Sequence, residues 1–386
     1  MQQLSTITKT LVLTGFSALS LWTAPAQSAS FSGLGWLSNT SYSNANAISA
    51  DGSVVVGNSG DTNGSKPFRW TKETGMVGLV PNNQYGSATG VSADGSVVVG
   101  TGASPQSAFR WTKETDMVSL GGNTNATGVS ADGSVIVGYF DVSGTNGIQA
   151  FLWTQANGIV SLGSLDNCGN EGCFSGATAV SADGSVVVGN SASSSTLEGF
   201  RWTQATGMQS LSGGVPYRGR ANGVSADGSI IVGVDSTRGY EAFRWTQSSG
   251  MVLLDDQNGR IYSEAKAVSS DGSIIVGENF FVNRPEAFLW TQKTGMVSLK
   301  ETLIGKGLDV SGWTLSSATA LSGDGFTIVG NGTNPSGQSE AWMANLSPEP
   351  IPEPLTILGS MAAIAFAASF ERKFSKKKPE EKDPDA

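Results

Sequence analysis

The side chains that this sequence offers for chemistry are carboxylates, tyrosines, lysines, serines and two cysteines, because its 386 residues include no histidine. A Ser-His-Asp or Cys-His relay is therefore excluded, and so is a zinc or copper site with imidazole ligands. Carboxylate chemistry stays open, since 32 residues are Asp or Glu. The available residue types favour a binding or structural protein over an enzyme.

Four glutamates recur at one position, two places before an aromatic residue: Glu198, Glu241, Glu286 and Glu340. A rim of carboxylates can hold calcium, but no calcium-loop spacing accompanies these, and solvated edge charge is the simpler interpretation. No spacing singles out two carboxylates as the pair that glycoside cleavage needs. We therefore predict no catalytic residue, metal ligand or cofactor, and a carboxylate-based polysaccharide hydrolase or lyase is the less favoured alternative.

Aromatic and basic side chains outside the regular segments form the candidate ligand-binding set, which comprises Tyr85, Tyr217, Arg218, Arg220, Tyr240, Tyr262 and Trp313. Exposed aromatic rings stack on sugars or anchor protein partners, and arginine pairs with carboxylate or sulfate groups. The set predicts a glycan- or protein-binding surface. The alternative is that these tyrosines pack locally in loops.

Cys168 and Cys173 lie in the segment Cys-Gly-Asn-Glu-Gly-Cys. In an exported chain this spacing predicts a small disulfide loop that pins a connection. A metal site would need further soft or imidazole ligands, which the sequence lacks. The chain is acidic, with 23 Lys+Arg against 32 Asp+Glu and a net charge of −9, and this opposes nucleic acid as a partner.

The elements that position these side chains come from an internal repeat. Ser-Ala-Asp-Gly-Ser or a close variant recurs seven times, with its aspartate at Asp51, Asp94, Asp132, Asp183, Asp227, Asp271 and Asp324, at spacings of 38 to 53 residues. That spacing is typical of one β-propeller blade. Each unit holds four strand-like pieces: Ala-x-(Gly/Ala)-(Val/Ile/Leu)-Ser, a Val/Ile run, a Phe-x-Trp-Thr segment and Gly-Met-Val-x-Leu. The Asp-Gly pair between the first two pieces predicts a type I′ hairpin.

The seventh unit lacks its fourth piece, whereas an orphan copy, Gly33-Leu34-Gly35-Trp36-Leu37, precedes the first unit. An N-terminal strand that completes the last blade closes the ring and hides its open edges. The sequence therefore predicts an all-β fold, a seven-bladed β-propeller over residues 31–347 closed by an N-terminal strand.

Two of the four connections in each unit are short and nearly constant, and the other two vary in length. The variable ones join the second piece to the third and the fourth piece to the next unit, for example residues 300–317. In an up-and-down blade these two emerge on the same face. A rigid scaffold with diverse loops on one face is a common arrangement for a binding surface.

The repeat resembles the extracellular HAF repeat. The matching triplets are Ser107-Ala108-Phe109, Gln149-Ala150-Phe151, Glu241-Ala242-Phe243 and Glu286-Ala287-Phe288, and the Asp-Gly-Ser-x-x-x-Gly and Trp-Thr-x-x-x-Gly-Met runs also fit. The family's histidine is replaced throughout, so no role of that residue carries over. The resemblance implies secretion and a repeat β fold, and it assigns no activity.

The two ends differ from the body. Residues 1–26 have the pattern of a secretory signal peptide, with Lys9, an apolar stretch and Ala24-Pro25-Ala26. Residues 348–386 begin with a proline-rich spacer, continue into an apolar segment at 355–370 and end in a basic cluster at 371–378. The apolar segment predicts a short transmembrane helix.

This tail resembles the PEP-CTERM sorting signal, with Pro352-Glu353-Pro354 as its signature. The resemblance implies that a membrane exosortase cuts near these residues and releases the body to the cell surface or extracellular matrix. The cluster is lysine-rich and an acidic extension follows it, so uncut membrane anchoring is the alternative. We expect an exported, surface-displayed binding module, or else a structural matrix component without a specific ligand.

Overall fold

The computed structural model describes residues 29–347 except 81–84, 104–105, 143–146, 166–173, 194–195, 214–217, 238, 255–261 and 282–283. The predicted signal peptide, the sorting tail with Pro352-Glu353-Pro354, the cysteine pair Cys168 and Cys173, and Tyr217 lie outside the described residues. In the part of the chain that is described, no helix is long and apolar enough to cross a membrane.

The described strands form seven four-stranded antiparallel sheets, and each sheet is one blade. Blade 1 contains β2 (Tyr42–Ile48), β3 (Val54–Asp61), β4 (Gly64–Thr71) and β5 (Gly75–Gly78). Blade 2 contains β6 (Gly86–Val91), β7 (Val98–Ala103), β8 (Gln106–Thr112) and β9 (Asp116–Gly122). Blade 3 contains β10 (Thr124–Val129), β11 (Val135–Asp141), β12 (Ile148–Thr154) and β13 (Gly158–Gly163). Blade 4 contains β14 (Ser175–Val180), β15 (Val186–Ser193), β16 (Thr196–Thr203) and β17 (Gly207–Ser210). Blade 5 contains β18 (Gly219–Val224), β19 (Ile230–Asp235), β20 (Glu241–Thr246) and β21 (Gly250–Leu253). Blade 6 contains β22 (Tyr262–Val268), β23 (Ile274–Phe281), β24 (Arg284–Thr291) and β25 (Gly295–Ser298). Blade 7 contains β26 (Thr314–Leu321), β27 (Thr327–Thr333), β28 (Ser339–Asn345) and β1 (Ser30–Gly33).

The blades form a closed ring. The first strands of consecutive blades contact one another all the way round, including β26 of blade 7 against β2 of blade 1. Within each blade the strands pair in sequence order, except that β1 takes the outer place beside β28. The predicted seven-bladed propeller is thus confirmed.

Small residues on the first strands and large ones on the third strands fill the wedge-shaped spaces between blades. Ala45 is fully buried on β2, and the central Val55 and Val56 of β3 are fully buried as well. The third strands contribute Phe68 and its equivalents, which are fully buried and pack into separate inter-blade clusters. Volume that increases with distance from the axis is what the tapered space requires.

The N-terminal strand completes blade 7, as predicted, but its register differs from the prediction. β1 is Ser30–Gly33, with Gly33 opposite Trp342, and the amide of Leu34 donates to the Ala341 carbonyl at 2.9 Å. In blade 1 the amide of Leu79 makes the equivalent bond to Pro67. The structural copy of the fourth strand is therefore Ser30 to Leu34 and not Gly33 to Leu37, because Leu34 takes the place of the repeat's terminal leucine.

The prediction of a type I′ hairpin at Asp-Gly is wrong. In the Asp-Gly pair of blade 5, Gly228 has a positive φ, of 71°, while Asp227 does not. The amide of Gly228 donates to the Ser225 carbonyl at 3.0 Å, and one Asp227 oxygen accepts from Ser225 Oγ and from the amide and hydroxyl of Ser229 at 2.6, 3.0 and 2.8 Å. Asp227 therefore organises a four-residue turn through its side chain.

A closed ring of backbone hydrogen bonds joins these turns around the propeller axis. The residue before each turn aspartate donates its amide to the carbonyl of its counterpart in the next blade, at 2.8 to 3.1 Å; the series is Ala50, Ala93, Ala131, Ala182, Ala226, Ser270, Gly323 and back to Ala50. Each blade therefore satisfies one backbone donor of one neighbour and one backbone acceptor of the other. This ring of hydrogen bonds stabilises the closed propeller on the face that carries the Asp-Gly turns, which we call the turn face.

One helix lies where the sequence analysis predicted only a variable connection. Helix α1 (Leu299–Gly305) follows blade 6 and is capped by the Ser298 hydroxyl, which accepts from the amide of Glu301. Leu299 and Leu303 are fully buried against blades 6 and 7. A helix of seven residues, about two turns, is too short for its period to be recognised in the sequence.

The turn aspartates make stability depend on pH. The Ser225 hydroxyl, the Ser229 amide and the Ser229 hydroxyl hold the pKa of Asp227 down to about 2, below its ordinary 3.8. Because the folded pKa is depressed, the stabilisation is present above pH 3.8 and is lost as the pH falls through 2. We expect Asp227→Asn to lower the melting temperature by about 1–3 °C at pH 7, with the gap closing between pH 4 and 2. Glu241→Gln, at an exposed position of the same blade, is the control, and a gap that persisted at pH 2 would contradict the assignment.

Candidate functional site

A pocket of about 270 Å³ lies between blades 4 and 5 on the face of the variable connections. Its walls include three residues of the predicted ligand-binding set, Arg218, Arg220 and Tyr240, together with Thr196 and Leu197 of blade 4. Arg218 and Arg220 come from the connection into β18 and from β18 itself, and Tyr240 precedes β20. The antiparallel order of the blades brings both kinds of variable connection to this one face, as predicted.

A buried carboxylate holds Arg220 in place from the next blade. Glu264 on β22 is 4% exposed, and its Oε1 lies 3.3 Å from Nη2 of Arg220 and 2.9 Å from Nδ2 of Asn222. Its Oε2 accepts from the Tyr262 hydroxyl at 2.7 Å and lies 3.1 Å from Nζ of Lys266. Four donors thus converge on one carboxylate that bridges blades 5 and 6.

The ionisation of this cluster follows from its geometry. Burial by itself would raise the pKa of Glu264, but Lys266, the Tyr262 hydroxyl and Arg220 together hold the pKa below its ordinary 4.5. Burial, and then the hydrogen bond to the Glu264 carboxylate, raises the pKa of Tyr262. At neutral pH the carboxylate is therefore charged and the phenol is protonated, which suits a positioning role and not proton transfer.

Lys266 is the point at which blade 6 departs from the repeat. At the equivalent position the other six blades carry Thr or Asn, and each of those side chains donates to the alanine carbonyl of the next blade; Thr178, for example, donates to the Ala221 carbonyl at 2.7 Å. Nζ of Lys266 instead bridges Glu264 and Glu278, the latter at 3.3 Å. Glu264, Lys266 and Glu278 were not among the residues predicted for the site, although a lysine at a position that is otherwise Thr or Asn is a recognisable signal in the sequence.

Three aromatic rings run alongside the cluster. The ring centroids of Tyr240 and Tyr262 lie 5.2 Å apart, and those of Tyr262 and Phe280 lie 5.0 Å apart in an edge-to-face arrangement. Tyr240 is the outermost of them at 49% exposed. The row therefore presents one open aromatic surface beside the two arginines.

The remaining residues of the predicted set do not join this site. Tyr85, 38% exposed, lies over Gly64 between blades 1 and 2. Trp313 packs edge-to-face on Phe31 of the closing strand, with ring centroids 5.3 Å apart, and is partly buried in the core of blades 6 and 7. Trp313 therefore packs on the closing strand and lies apart from the pocket between blades 4 and 5.

The four recurrent glutamates are not uniformly solvated. Glu340 is 8% exposed and accepts from the Gly35 amide and from Nδ2 of Asn334, both at 2.8 Å, so it secures the closing segment. Glu198 and Glu286 accept from the hydroxyls of Ser210 and Ser298. The interpretation as solvated edge charge is wrong for Glu340. Within the described residues no group of three or more Asp, Glu or Cys is arranged to hold a metal ion.

Comparisons with known proteins agree on the architecture. No protein-family model matches the chain, and no curated protein matches it. Among solved structures, oligogalacturonate lyase from Vibrio parahaemolyticus has a TM-score of 0.54 and 10% identity and covers 83% of this chain and 98% of its own. The propeller domain of the trilobed protease from Pyrococcus furiosus has a TM-score of 0.54 and 9% identity, with 82% and 99% covered. These likenesses show a β-propeller.

A third matched structure is TolB from Acinetobacter baumannii, with a TM-score of 0.42 and 13% identity. The match covers 59% of this chain and 57% of the TolB chain. The matched structures thus include a lyase, a protease domain and TolB. The two matches with a TM-score of 0.54, at 9 and 10% identity, establish the shared scaffold only, and function has to be argued from the residues of the site.

Proposed function

We propose that this propeller is an exported binding module of the cell surface or extracellular matrix, and that it binds an anionic glycan in the pocket between blades 4 and 5. The observation that supports it is the placement of Arg218, Arg220 and Tyr240 around one pocket, with Arg220 anchored by Glu264. Two guanidinium groups suit a carboxylate or sulfate, and the exposed tyrosine suits the apolar face of a sugar ring.

Anchoring of Arg220 is the step that turns a surface arginine into a binding group. A guanidinium whose position is fixed before the ligand arrives loses less side-chain entropy on binding. Glu264 is itself fixed by Tyr262, Asn222 and Lys266, so the order of the site extends across two blades. The pocket is small, so it suits one or two sugar units and not a protein segment.

The test is binding of the full chain to polygalacturonate and dextran sulfate, with dextran as the uncharged comparison, by calorimetry. We expect Arg218→Gln combined with Arg220→Gln to weaken binding to the two anionic polymers by about ten-fold or more, since two charge-assisted contacts are removed. Arg284→Gln combined with Lys293→Gln removes two exposed positive charges of blade 6 and is the control for net charge.

Equal weakening by Arg284→Gln combined with Lys293→Gln would reduce the effect to overall charge and contradict a specific pocket. Saturable binding to neither polymer by a folded wild-type protein would move the function to a structural matrix component. Binding is proposed over catalysis because Glu264 is ionised and saturated with donors. Shortening of polygalacturonate during the titration would instead favour the lyase alternative.

The proposed route to the surface rests on the two ends of the chain. It comprises a cleaved signal peptide, a membrane intermediate held by the segment 355–370, and an exosortase-type enzyme that cuts near Pro352-Glu353-Pro354. Replacing these three residues by alanine is expected to keep the protein in the membrane fraction of cells that contain such an enzyme. Release of the variant at the wild-type rate would contradict the proposed sorting step.

A further inference from the structure

Grooves at the outer edge of the propeller repeat with the blades, beside the turn face and away from the pocket of the proposed function. One groove of about 640 Å³ lies between blades 1 and 2, and another of about 840 Å³ lies between blades 3 and 4. Structurally equivalent residues line both: Val77 and Val160 on the fourth strands, and Trp111 and Trp202 on the third strands of the following blades. The repeat has therefore built one kind of groove twice.

The pairing of valine and tryptophan recurs at two more blade junctions. In blades 2 and 5 the equivalent valines are Val118 and Val252, and the following blades supply Trp153 and Trp290. The four valines are 46 to 51% exposed, although they sit at one repeated position of an apolar motif. The other three blade junctions lack the pair, because Gln209 or Ser32 replaces the valine or Ala344 replaces the tryptophan.

The polar residues of these grooves suit hydroxyl groups and not an ion. Groove 1–2 contains two cations, Arg69 and Lys113, and three anions, Asp94, Glu114 and Asp116, while groove 3–4 contains Arg201 and Asp227. The charges nearly balance, so neither an anionic nor a cationic ligand is favoured. Carboxylate and guanidinium groups beside a half-buried indole supply the acceptors, donors and apolar platform that a sugar ring uses.

We propose that these two grooves, together with the two junctions that share the valine–tryptophan pair, are repeated binding sites for sugar units of an uncharged polysaccharide. Sites that recur around one rim match a ligand that itself repeats, and weak single contacts add up through multivalency. This inference is independent of the anionic-glycan pocket, which lies on the other face.

The test is affinity electrophoresis of the full chain in native gels that contain pullulan, laminarin or galactomannan. We expect at least one of these polymers to retard the wild-type protein. Each single change Val77→Gln, Val118→Gln, Val160→Gln or Val252→Gln should weaken retardation about two-fold, and the four together should weaken it more than about ten-fold. Glutamine is chosen because Gln209 already occupies this position in blade 4.

The matched control is Gln209→Ala, which alters a junction without the pair and should leave retardation unchanged. Arg218→Gln with Arg220→Gln should also leave it unchanged, which separates this inference from the proposed function. Thermal unfolding at the wild-type temperature shows that the quadruple variant is folded. The proposal is overturned if none of the three polymers retards the wild-type protein, or if the folded quadruple variant is retarded as strongly as the wild type. It is also overturned if the quadruple variant differs from the wild type only in forming a smaller oligomer in solution.

Discussion

Replacing Gly228 by alanine is expected to lower the free energy of unfolding by about 2–5 kcal/mol. Gly228 has a φ of 71°, which costs an alanine about 1–2 kcal/mol. An added Cβ would also lie 2.5 Å from Cγ2 and 2.9 Å from Cβ of Val186 in the preceding blade. Val186 is 4% exposed and β-branched, so it cannot rotate away, and overpacking adds about 1–3 kcal/mol.

Gly250→Ala is the matched control, because Gly250 lies in the same blade at a φ of 64° and nothing lies within 4 Å of the added Cβ. It should cost only the backbone strain of about 1–2 kcal/mol. Chemical denaturation of both variants gives the two free energies. Equal losses would show that the contact with Val186 carries no energy and that conformation alone selects glycine.

The same contact recurs at every blade junction, which explains why the Asp-Gly turn is repeated so faithfully. The turn glycine of blade 3, Gly133, meets Val97 of blade 2, and Gly272 of blade 6 meets Ile230 of blade 5. The sequence shows Asp-Gly and suggests a hairpin formed by two residues of positive φ. The structure shows that glycine is needed both for its φ and for its closeness to the neighbouring blade, and the second reason is tertiary.

Repeat count, strand content and ring closure were predictable, because each follows from residues that recur at regular intervals. The register of the closing strand was not, since Gly33-Leu34-Gly35-Trp36-Leu37 matches the motif by composition. The hydrogen bond from Leu34 to Ala341 decides it. A strand's partner lies more than 300 residues away in this case, and the sequence contains no measure of that pairing.

Part of the candidate site could be predicted from the sequence, and the part that could not depends on contacts between distant residues. Arg218, Arg220 and Tyr240 were found as unusual residues in variable segments, and the blade order brings them together. Glu264 was missed because its role depends on donors from two strands. Two of these donors, Arg220 and Asn222, lie 44 and 42 residues earlier in the chain. Such a contact is visible only when the stacking of blades is known.

Replacing Glu264 by glutamine is expected to cost about 2–4 kcal/mol of stability at pH 7. The glutamine keeps the size of the side chain but has one acceptor oxygen for four converging donors, and it leaves Arg220 and Lys266 near each other without the carboxylate. The cost stays below that of a fully buried pair, because these two side chains are 44% and 28% exposed. Denaturant titration of both proteins measures the difference.

The pH dependence of that difference separates the charge of Glu264 from its shape. The folded pKa of Glu264 is lower than its ordinary 4.5, so the stabilisation by its charge is present above pH 4.5 and is lost as the pH falls further. The wild type and Glu264→Gln should therefore converge below pH 4.5. Glu278→Gln is the control, because Glu278 contributes one ion pair to the network, with Lys266 at 3.3 Å, and should cost less than about 1 kcal/mol. A loss that was the same at every pH, or as large for Glu278→Gln, would show that the carboxylate fills space between blades 5 and 6 without anchoring Arg220 by its charge.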